Sequence, residues 1–569
     1  MSQPAIKLQT EPFRERRGVP ASPPQRIGHV VSVTGGRAIA VLERNAQSVS
    51  RGEFLRVQIG ALVKVATPTS SAMGLITAVS TPMPPAEGQG ENMSLVELDL
   101  VGEVVTAGQD QRLTFRRGIT NPPSIGDAVL LADRHDLTRV YAPPAVTTVK
   151  IGTLYQDPGV PACLRVDDLL SKHFVVVGST GSGKSCALTS VLQRILDDHK
   201  HAHIVVLDIH NEYLTAFGDR VEAVNLNNFN LPFWLLNFQE LGAALTSSDE
   251  YHDAEVEILG EAVVHAKRRY GEAAAHRSTL VRRASDGGPI TVETPSPFRL
   301  SDVIAHLDEH LGKLERTQIT LPYRRLKTRI ETLVGDQRYN FMFGSLTVQD
   351  TMSEILSRLF RVPGDGKPIT VIDLSTVPAE ILDVVISVIS RLAFDLAIWS
   401  KGGVPMLLVC EEAHRYAPTG ERNYFGPTRQ ALARIAKEGR KYGISLALVT
   451  QRPSELDPTI LSQCSTVIAL RLSSERDQQV MRAATHEGMI DLLDFLPLLG
   501  DREAIVLGQG VAMPMRITFD DLDTNAVPRN LNAGFSKSWK SPNLSRDELD
   551  SIVARWRQAG RERSDTFAG

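Results

Sequence analysis

The sequence has few cysteines, few aromatic residues and no large excess of either charge. Of 569 residues, 6% are aromatic, and 62 Lys and Arg residues nearly balance 66 Asp and Glu residues. The formal net charge is only −4, so binding to nucleic acid would have to come from a local site. The cysteines form no CxxC pair, which argues against a disulfide framework or structural zinc and favours a reducing cytoplasm. They are Cys163, Cys186, Cys410 and Cys464.

Long hydrophobic runs are also missing. No apolar run approaches the roughly 18 residues that a membrane span needs, so we expect no contact with a membrane. The first 25 residues contain charge and proline but no apolar segment, unlike a secretory signal. We expect residues 1–25 to form a flexible arm.

What the chain does contain is enough sequence for two or three domains. From Arg26 to about Pro144, short β-rich runs broken by glycine and proline predict a small β-barrel. Few aromatic residues alternate with its basic residues, so a stacking platform for nucleic acid is not evident. A structural or assembly role for this region is favoured over a nucleic-acid-binding one.

The pattern changes after Ile151 to strands alternating with helices. A strand at Phe174–Val177 leads into a glycine-rich loop and an apolar-periodic helix, and a second strand follows at Ile204–Leu207. This alternation predicts an α/β fold with a parallel sheet covered by helices. Between about Gln239 and Gly344 the apolar residues recur at helical spacing instead, which predicts a helical insertion.

Residues 178–185 read GSTGSGKS and match the pattern GxxxxGK[ST] between a predicted strand and a predicted helix. The glycines allow backbone N–H groups to surround a β-phosphate at the helix N-terminus. Lys184 would reach the β- and γ-phosphates, and the Ser185 hydroxyl would bind Mg²⁺. The predicted ligands are therefore ATP and Mg²⁺. The predicted nucleotide-binding residues are Gly178, Ser179, Thr180, Gly181, Ser182, Gly183, Lys184, Ser185 and Cys186.

A second acidic element ends the hydrophobic run Met406–Cys410. Hydrolysis needs one acidic group near the metal and one to orient or deprotonate water. Glu411 would serve the metal and Glu412 the water. Carboxylates also end strands simply because they are solvated there. The pair therefore indicates a catalytic site mainly because the chain also contains a P-loop.

Two further strand ends carry polar residues. Asp208 begins DIHNEY directly after the strand Ile204–Leu207, at the sheet edge where ligands bind. Its two acids and its histidine, Asp208, Glu212 and His210, could join the metal or water network, and their position favours this function over the alternative of a capping turn. Gln451 ends the strand Ile444–Thr450, where its amide could sense a γ-phosphate or simply be solvated.

Two arginines lie in the helix Thr428–Tyr442. Cations near a helix C-terminus stabilise the helix dipole without any further function. Either arginine could instead act as a finger on the phosphates of a neighbouring subunit. Arg440 is the first candidate and Arg434 the second.

Together these residues resemble the HerA family of hexameric DNA-translocating ATPases, within the wider HerA/FtsK class. The resemblance covers most of the chain: a barrel like the HAS-barrel of HerA N-termini, GSTGSGKS, DIHNEY, an insertion ending in GDQRYNFMFG, LLVCEEAHRY and AKEGRKYGISLALVTQRPSELD. The last two strings are the most specific, because a generic P-loop enzyme would not carry them in that order. Two departures stand out: Asn211 where the family commonly has Gly, and Glu411 in place of Asp.

The resemblance implies a RecA-like ATPase core that assembles as a homo-hexamer with nucleotide sites between subunits. It also implies action on double-stranded DNA with a partner nuclease, or antiphage defence with a nuclease or sirtuin-type effector. By position the resemblance implies that Lys184 and Ser185 bind phosphate and Mg²⁺, that Glu412 is catalytic and that Arg440 acts on a neighbouring subunit. With the residues predicted from strand position, the predicted catalytic residues are Glu412, Lys184, Arg440 and Gln451, and the predicted metal-binding residues are Ser185, Glu411 and Asp208. The predicted divisions are 1–25 (arm), 26–146 (barrel), 147–238 with 345–523 (RecA-like core), 239–344 (helical insertion) and 524–569 (tail with one helix).

Two hypotheses of different classes follow. The first is an ATP-driven translocase or helicase on double-stranded DNA, acting in DNA end processing or antiphage defence. The second is an ATP-dependent hexameric scaffold that assembles and regulates a nuclease or sirtuin-type NADase with little motor activity. Stimulation of ATP hydrolysis by DNA would favour the first.

Overall fold

The structure is a computed structural model that describes residues 26–43, 57–68, 70–81, 94–107, 112–141, 146–246, 251–277, 289–313, 317–344, 348–420, 426–485, 490–529, 539–540 and 545–558. The predicted N-terminal arm lies outside these residues. Among the described residues, no helix is both long and apolar enough to cross a bilayer. The chain divides into two compact units, residues 1–143 with 156–160 and residues 144–155 with 161–569.

The first unit is a closed antiparallel barrel. Its strands, with one helix after them, are β1 (Arg26–Thr34), β2 (Arg37–Leu42), β3 (Leu62–Ala66), β4 (Ser71–Ser80), β5 (Leu95–Ala107), β6 (Arg112–Arg117), β7 (Ala128–Leu131) and α1 (Arg134–Tyr141). Six strands pair in the order β2-β1-β7-β3-β4-β5, and β5 pairs back with β2 to close the ring. The barrel predicted from the short β-rich runs is therefore confirmed.

Apolar side chains that alternate with more exposed ones along the strands fill the barrel interior. In β2 every second side chain is buried, so one face of the strand packs inward and the other faces outward. The barrel core contains Ile27, Val30, Leu42, Val63 and Leu98, each at most 8% exposed. β5 extends beyond its pairing with β2, and its residues 102–107 pair with the charged strand β6.

The second unit is built on an eleven-stranded mixed sheet. Its strands are β8 (Thr148–Leu154), β9 (Pro161–Arg165), β10 (His173–Val177), β11 (Ile204–Asp208), β12 (Val221–Val224), β13 (Ile369–Asp373), β14 (Met406–Cys410), β15 (Ile444–Thr450), β16 (Cys464–Ala469), β17 (Glu503–Gly508) and β18 (Met515–Phe519). They lie in the order β12-β13-β11-β14-β15-β10-β16-β17-β18-β8-β9. Pairing is parallel from β12 to β16 and antiparallel from there to β9.

The parallel sheet predicted from the βα alternation thus accounts for only part of this sheet. Two of the antiparallel pairs follow from short connections, because a parallel pair needs a crossover of a dozen or more residues. β17 and β18 are joined by residues 509–514, and β8 and β9 by residues 155–160. Neither link can hold a crossover helix.

Helices cover the sheet and form the insertion. They are α2 (Val166–Leu170), α3 (Lys184–Asp198), α4 (Phe238–Leu245), α5 (His252–Arg277), α6 (Leu300–Lys313), α7 (Thr317–Gly335), α8 (Asn340–Phe343), α9 (Met352–Phe360), α10 (Ala379–Trp399), α11 (Gly426–Tyr442), α12 (Pro458–Leu461), α13 (Glu475–Ala484) and α14 (Arg546–Gln558). α10 is apolar on most of its circumference and packs closely on α11. Helices α4 to α8 occupy the region expected to be helical between Gln239 and Gly344.

A buried ionic cluster attaches α4 to α10. Glu240 is fully buried; its Oε2 accepts from the Asn237 backbone N–H at 2.9 Å, and its backbone N–H donates to Asn237 Oδ1 at 2.8 Å. This capping box starts α4. The Glu240 carboxylate also accepts from Arg391 Nη2 at 2.9 Å and from Ser387 Oγ at 2.8 Å, both on α10. Arg391 Nη1 lies 3.2 Å from Asp395, so this cluster contains charges of both signs.

Candidate nucleotide site

The P-loop joins the end of β10 to the start of α3. Gly181 and Gly183 have φ of 76° and 95°, in the left-handed region that glycine adopts without strain. At Gly178 a Cβ would lie 2.4 Å from Ser182 Oγ, so the close turn also requires glycine there. The N-terminus of α3, which begins at Lys184, therefore opens onto a loop of backbone N–H groups.

Lys184 is almost completely buried, at 9% exposure. Its Nζ lies 3.4 Å from the Ser179 carbonyl, within the same loop. Burial lowers the pKa of Lys184, while the nearby carboxylates of Glu412, Glu212 and Glu411 oppose that shift. The lysine therefore lies among acidic groups, in a position to hold phosphate oxygens.

Asp208 and Glu411 end the neighbouring strands β11 and β14 and are both buried. Burial, and then the negative charge of Asp208, raises the pKa of Glu411 well above its usual range. Glu411 Oε2 accepts from the Ile209 N–H at 3.0 Å, a contact across to the β11 end. The longer side chain of Glu411, compared with Asp, is thus used to reach the adjacent strand.

Asp208 organises the loop that follows β11. Its Oδ1 accepts from the N–H groups of His210 at 3.3 Å and Glu212 at 3.1 Å, and its Oδ2 accepts from Tyr213 at 2.9 Å. The capping turn considered from the sequence is therefore present. Asn211 has φ of 55°, a conformation that Asn and Gly tolerate, so Asn can replace Gly in this turn.

Glu412 follows β14 in a left-handed conformation, with φ of 46°, and is 7% exposed. Such backbone strain in a non-glycine residue is concentrated at functional sites. Its Oε2 accepts from the Gln451 N–H at 3.3 Å and lies 3.2 Å from His414 Nδ1. Thr180 Oγ1 of the P-loop donates to Gln451 Oε1. Gln451 thus joins the P-loop to Glu412.

The residues present fit a Mg²⁺ ion. Ser185 Oγ donates to Glu212 Oε2 at 2.5 Å, and the carboxylates of Asp208 and Glu411 lie nearby, so the available donors are oxygens. Among the described residues, no three His, Cys, Asp or Glu side chains form a ready metal cage. Mg²⁺ commonly uses one or two protein oxygens together with phosphates and water, which agrees with this arrangement.

The two candidate arginines, Arg434 and Arg440, have different surroundings in the structure. The Arg434 guanidinium lies 4.7 Å from the Phe394 ring centroid, which gives this side chain a packing role. Arg440 is exposed, without an ion-pair partner among the described residues. It lies at the end of α11 just before β15, whereas the P-loop and Gln451 lie at the opposite ends of β10 and β15. Seven residues of strand, about 20 Å, separate these edges.

Glu212, the second acid of DIHNEY, lies beside the P-loop through its contact with Ser185. His414 at this edge was not predicted as a site residue. It lies within LLVCEEAHRY, and burial lowers its pKa although Glu412 opposes the shift. Its position in that motif could have drawn attention to it. Cys186, on the first turn of α3, is half-buried, and burial raises the pKa of its thiol.

Comparison with known proteins finds one family model and several similar sequences. Residues 149–393 match the family model described as "Helicase HerA, central domain". The chain is 28% identical over 405 residues to the DNA double-strand break repair helicase HerA of Pyrococcus furiosus, covering 64% of this chain and 68% of that protein. It is 24% identical over 542 residues to HerA of Sulfurisphaera tokodaii, covering 93% and 99%.

Among solved structures, VirB4 of Thermoanaerobacter pseudethanolicus is similar with a TM-score of 0.47 and 14% identity, covering 67% of this chain and 98% of that one. The plasmid coupling protein TrwB in complex with ADP and Mg²⁺ gives a TM-score of 0.44 at 14% identity, covering 70% and 95%. The family model matches the P-loop half of the core, and the S. tokodaii relative spans nearly the whole chain. The chain is thus similar to the HerA helicases, through the family model over residues 149–393 and through relatives that cover up to 93% of it.

Proposed function

We propose that this chain is an ATP-hydrolysing translocase or helicase that moves along double-stranded DNA as a ring of six identical subunits. The observation that carries the ATPase part is the connected path from Thr180 through Gln451 to Glu412. It links the phosphate-binding loop to a buried carboxylate. The DNA part is supported by the relatives from P. furiosus and S. tokodaii, both named as DNA double-strand break repair helicases.

In this proposal Lys184 and the P-loop N–H groups hold the triphosphate, and Ser185 and Glu411 serve Mg²⁺. The ion would neutralise charge on the phosphates. Glu412 orients the attacking water and accepts its proton, while Gln451 fixes the position of Glu412. Asp208 has a second role besides metal binding, because its hydrogen bonds fix the loop that carries Glu212.

The ring is supported by where Arg440 lies. Arg440 is exposed and lies one strand length from its own P-loop, too far to reach its own nucleotide, so we propose that it contacts the nucleotide of a neighbouring copy. A partner nuclease or sirtuin-type effector, in DNA end processing or antiphage defence, completes the proposal by analogy with the family. The function within the cell would be cytoplasmic.

The test is ATP hydrolysis by the purified chain with and without linear duplex DNA, beside Lys184→Ala and Glu412→Gln. Stimulation by DNA that both variants lose supports the motor. Hydrolysis that both variants lose but DNA does not change would favour the ATP-dependent scaffold instead. Activity that survives in both variants would contradict the site itself.

A further inference from the structure

A segment beyond the sheet returns to the nucleotide site. We name residues 520–529, which follow β18, the C-terminal strap. At its start, Asp520 Oδ2 lies 3.1 Å from Lys150 Nζ and 3.7 Å from Arg194 Nη2, and Arg194 is on the P-loop helix α3. At its end, the Arg529 N–H donates to the Glu212 carbonyl at 2.9 Å. The strap therefore runs from the middle of α3 to the loop beside its N-terminus.

The end of the strap is close to the proposed metal-binding hydroxyl. Glu212 accepts from Ser185 Oγ through its carboxylate and from Arg529 through its carbonyl, so two hydrogen bonds connect Ser185 to Arg529. Pro528 is buried, which holds the backbone at this point. The Arg529 side chain is exposed, and among the described residues it has no ion-pair partner.

The charges at the site suggest what this side chain does. The carboxylates of Glu412, Glu212 and Glu411 lie around Lys184. A triphosphate adds further negative charge, even with Mg²⁺ bound. Stabilising it calls for a second cation near the phosphates, and arginine provides paired N–H donors for phosphate oxygens.

We propose that Arg529 is a nucleotide-contacting residue of the same subunit, delivered by the C-terminal strap, whose guanidinium binds a phosphate oxygen of the bound nucleotide. This inference rests on the proposed ATPase function. It assigns to the chain beyond the sheet a direct part in holding the nucleotide, distinct from the contribution of Arg440 from a neighbouring copy. It also makes nucleotide affinity sensitive to anything that displaces the strap.

The experiment measures binding of a fluorescent, non-hydrolysable ATP analogue with Mg²⁺ to the full-length chain. Arg529→Ala keeps the backbone N–H that bonds to Glu212 and removes only the guanidinium. We expect its Kd to rise roughly tenfold or more, as for loss of a charged hydrogen bond, with Arg529→Lys between it and the unaltered chain. The matched control is Arg546→Ala, an exposed arginine on α14 that should leave the Kd unchanged.

Two outcomes overturn the inference. One is an Arg529→Ala chain that binds like the unaltered chain, even where Arg529→Pro, which also removes the N–H, binds more weakly, because the strap would then act through its backbone alone. The other is an equal loss in Arg546→Ala, which would indicate a non-specific charge effect. Thermal unfolding without nucleotide checks that the variants fold.

Lys184→Ala separates this inference from the proposed function. If the unaltered chain binds the analogue and Lys184→Ala does not, the ATP site stands, and the Arg529 result judges the strap alone. If Lys184→Ala binds as tightly as the unaltered chain, the nucleotide site itself is wrong.

Discussion

Two groups of buried charged side chains in the second unit differ in their balance. In the cluster between α4 and α10, Glu240 and Asp395 face Arg391, and both carboxylates bond to its guanidinium. At the nucleotide edge, several carboxylates surround Lys184, and the buried Asp208 lies beside the buried Glu411. The Glu240 cluster is complete within the chain, whereas the nucleotide edge has an excess of negative charge.

The difference separates structural from functional charge. Burial works against the charge of Arg391 and raises the pKa of Asp395, yet Glu240 and Asp395 raise the pKa of Arg391 above its ordinary value, so Arg391 stays charged. At the nucleotide edge, burial with a neighbouring carboxylate raises the pKa of Glu411 instead. Strongly shifted pKa values of this kind are concentrated at functional sites. A bound metal ion and the proposed arginines would balance the excess negative charge of these carboxylates.

The largest expected effect concerns a cation that we expect another copy to supply. Arg440→Ala should lower ATP hydrolysis by roughly 10³-fold or more, as for loss of an arginine finger, while nucleotide binding is retained. Mixing Arg440→Ala chains with Lys184→Ala chains should restore part of the activity, because each supplies what the other lacks. Hydrolysis rates of the single and mixed chains provide the measurement.

Arg434→Ala is the matched control for that experiment. It lies on the same helix but packs on Phe394, so hydrolysis should change little even if stability falls. Mixed chains as inactive as Arg440→Ala alone would show that Arg440 does not act between subunits. In that case Arg440 would not be the cation that balances the carboxylates of the nucleotide site.

Glu412→Gln tests the acidic side of the comparison. Without the carboxylate that orients and deprotonates water, hydrolysis should fall roughly 10²- to 10⁴-fold. Stability should hold or rise, because one negative charge leaves a crowded group. Hydrolysis and thermal unfolding are measured on the same preparation; a marked loss of stability would instead make Glu412 a structural residue.

Arg391→Met tests the balanced cluster. Removing the cation leaves Glu240 buried without its partner, which should cost about 3–5 kcal/mol of unfolding free energy. The double variant Glu240→Leu with Arg391→Met should recover most of that loss, because the fully buried carboxylate is removed together with its partner and the remaining Asp395 is partly exposed. Chemical denaturation of the single and double variants measures both. A double variant as unstable as the single would show that apolar packing, not charge, sets the loss.

The nucleotide edge could be predicted from the sequence further than the rest of the molecule. Its residues follow strand ends in short motifs, so strand position alone brings Gly178 to Ser185 together with Glu411 and Glu412. What the sequence does not contain is contact between distant segments. Glu212 meeting Ser185, and Arg529 meeting Glu212, depend on tertiary packing that no local pattern encodes.

The fold shows the same division. The barrel and the parallel strands follow from alternation and βα spacing, which are local signals. The antiparallel extension from β17 to β9 was missed, because β8 and β9 precede the P-loop while β17 and β18 come last in the sheet. Their pairing joins segments more than 300 residues apart, so hydrophobic pattern alone could not place them together.

His173 extends the comparison to a buried group that is neutral. At the start of β10, its Nδ1 accepts from the Leu446 N–H at 2.9 Å, and its Nε2 lies 2.9 Å from the Ala436 carbonyl. A carbonyl only accepts, so Nε2 carries the proton and Nδ1 has none. Protonating Nδ1 would set two N–H groups against each other, and burial lowers the pKa of His173 below the usual 6.5.

The unfolded chain therefore binds the His173 proton at a higher pH than the folded chain does. Unfolding free energy should fall as pH drops from 6.5 toward the lowered pKa, because the unfolded state gains the extra proton. In His173→Gln that share of the pH dependence should disappear, while stability at pH 7.5 falls by about 1–3 kcal/mol for lost hydrogen bonds. Denaturation curves from pH 5 to 7.5 measure both, and an unchanged pH dependence would mean that other groups set the acid sensitivity. The His173 ring connects β10, which leads into the P-loop, to α11 and β15. Loss of its hydrogen bonds would therefore weaken the packing between these elements without changing the charges of the nucleotide site.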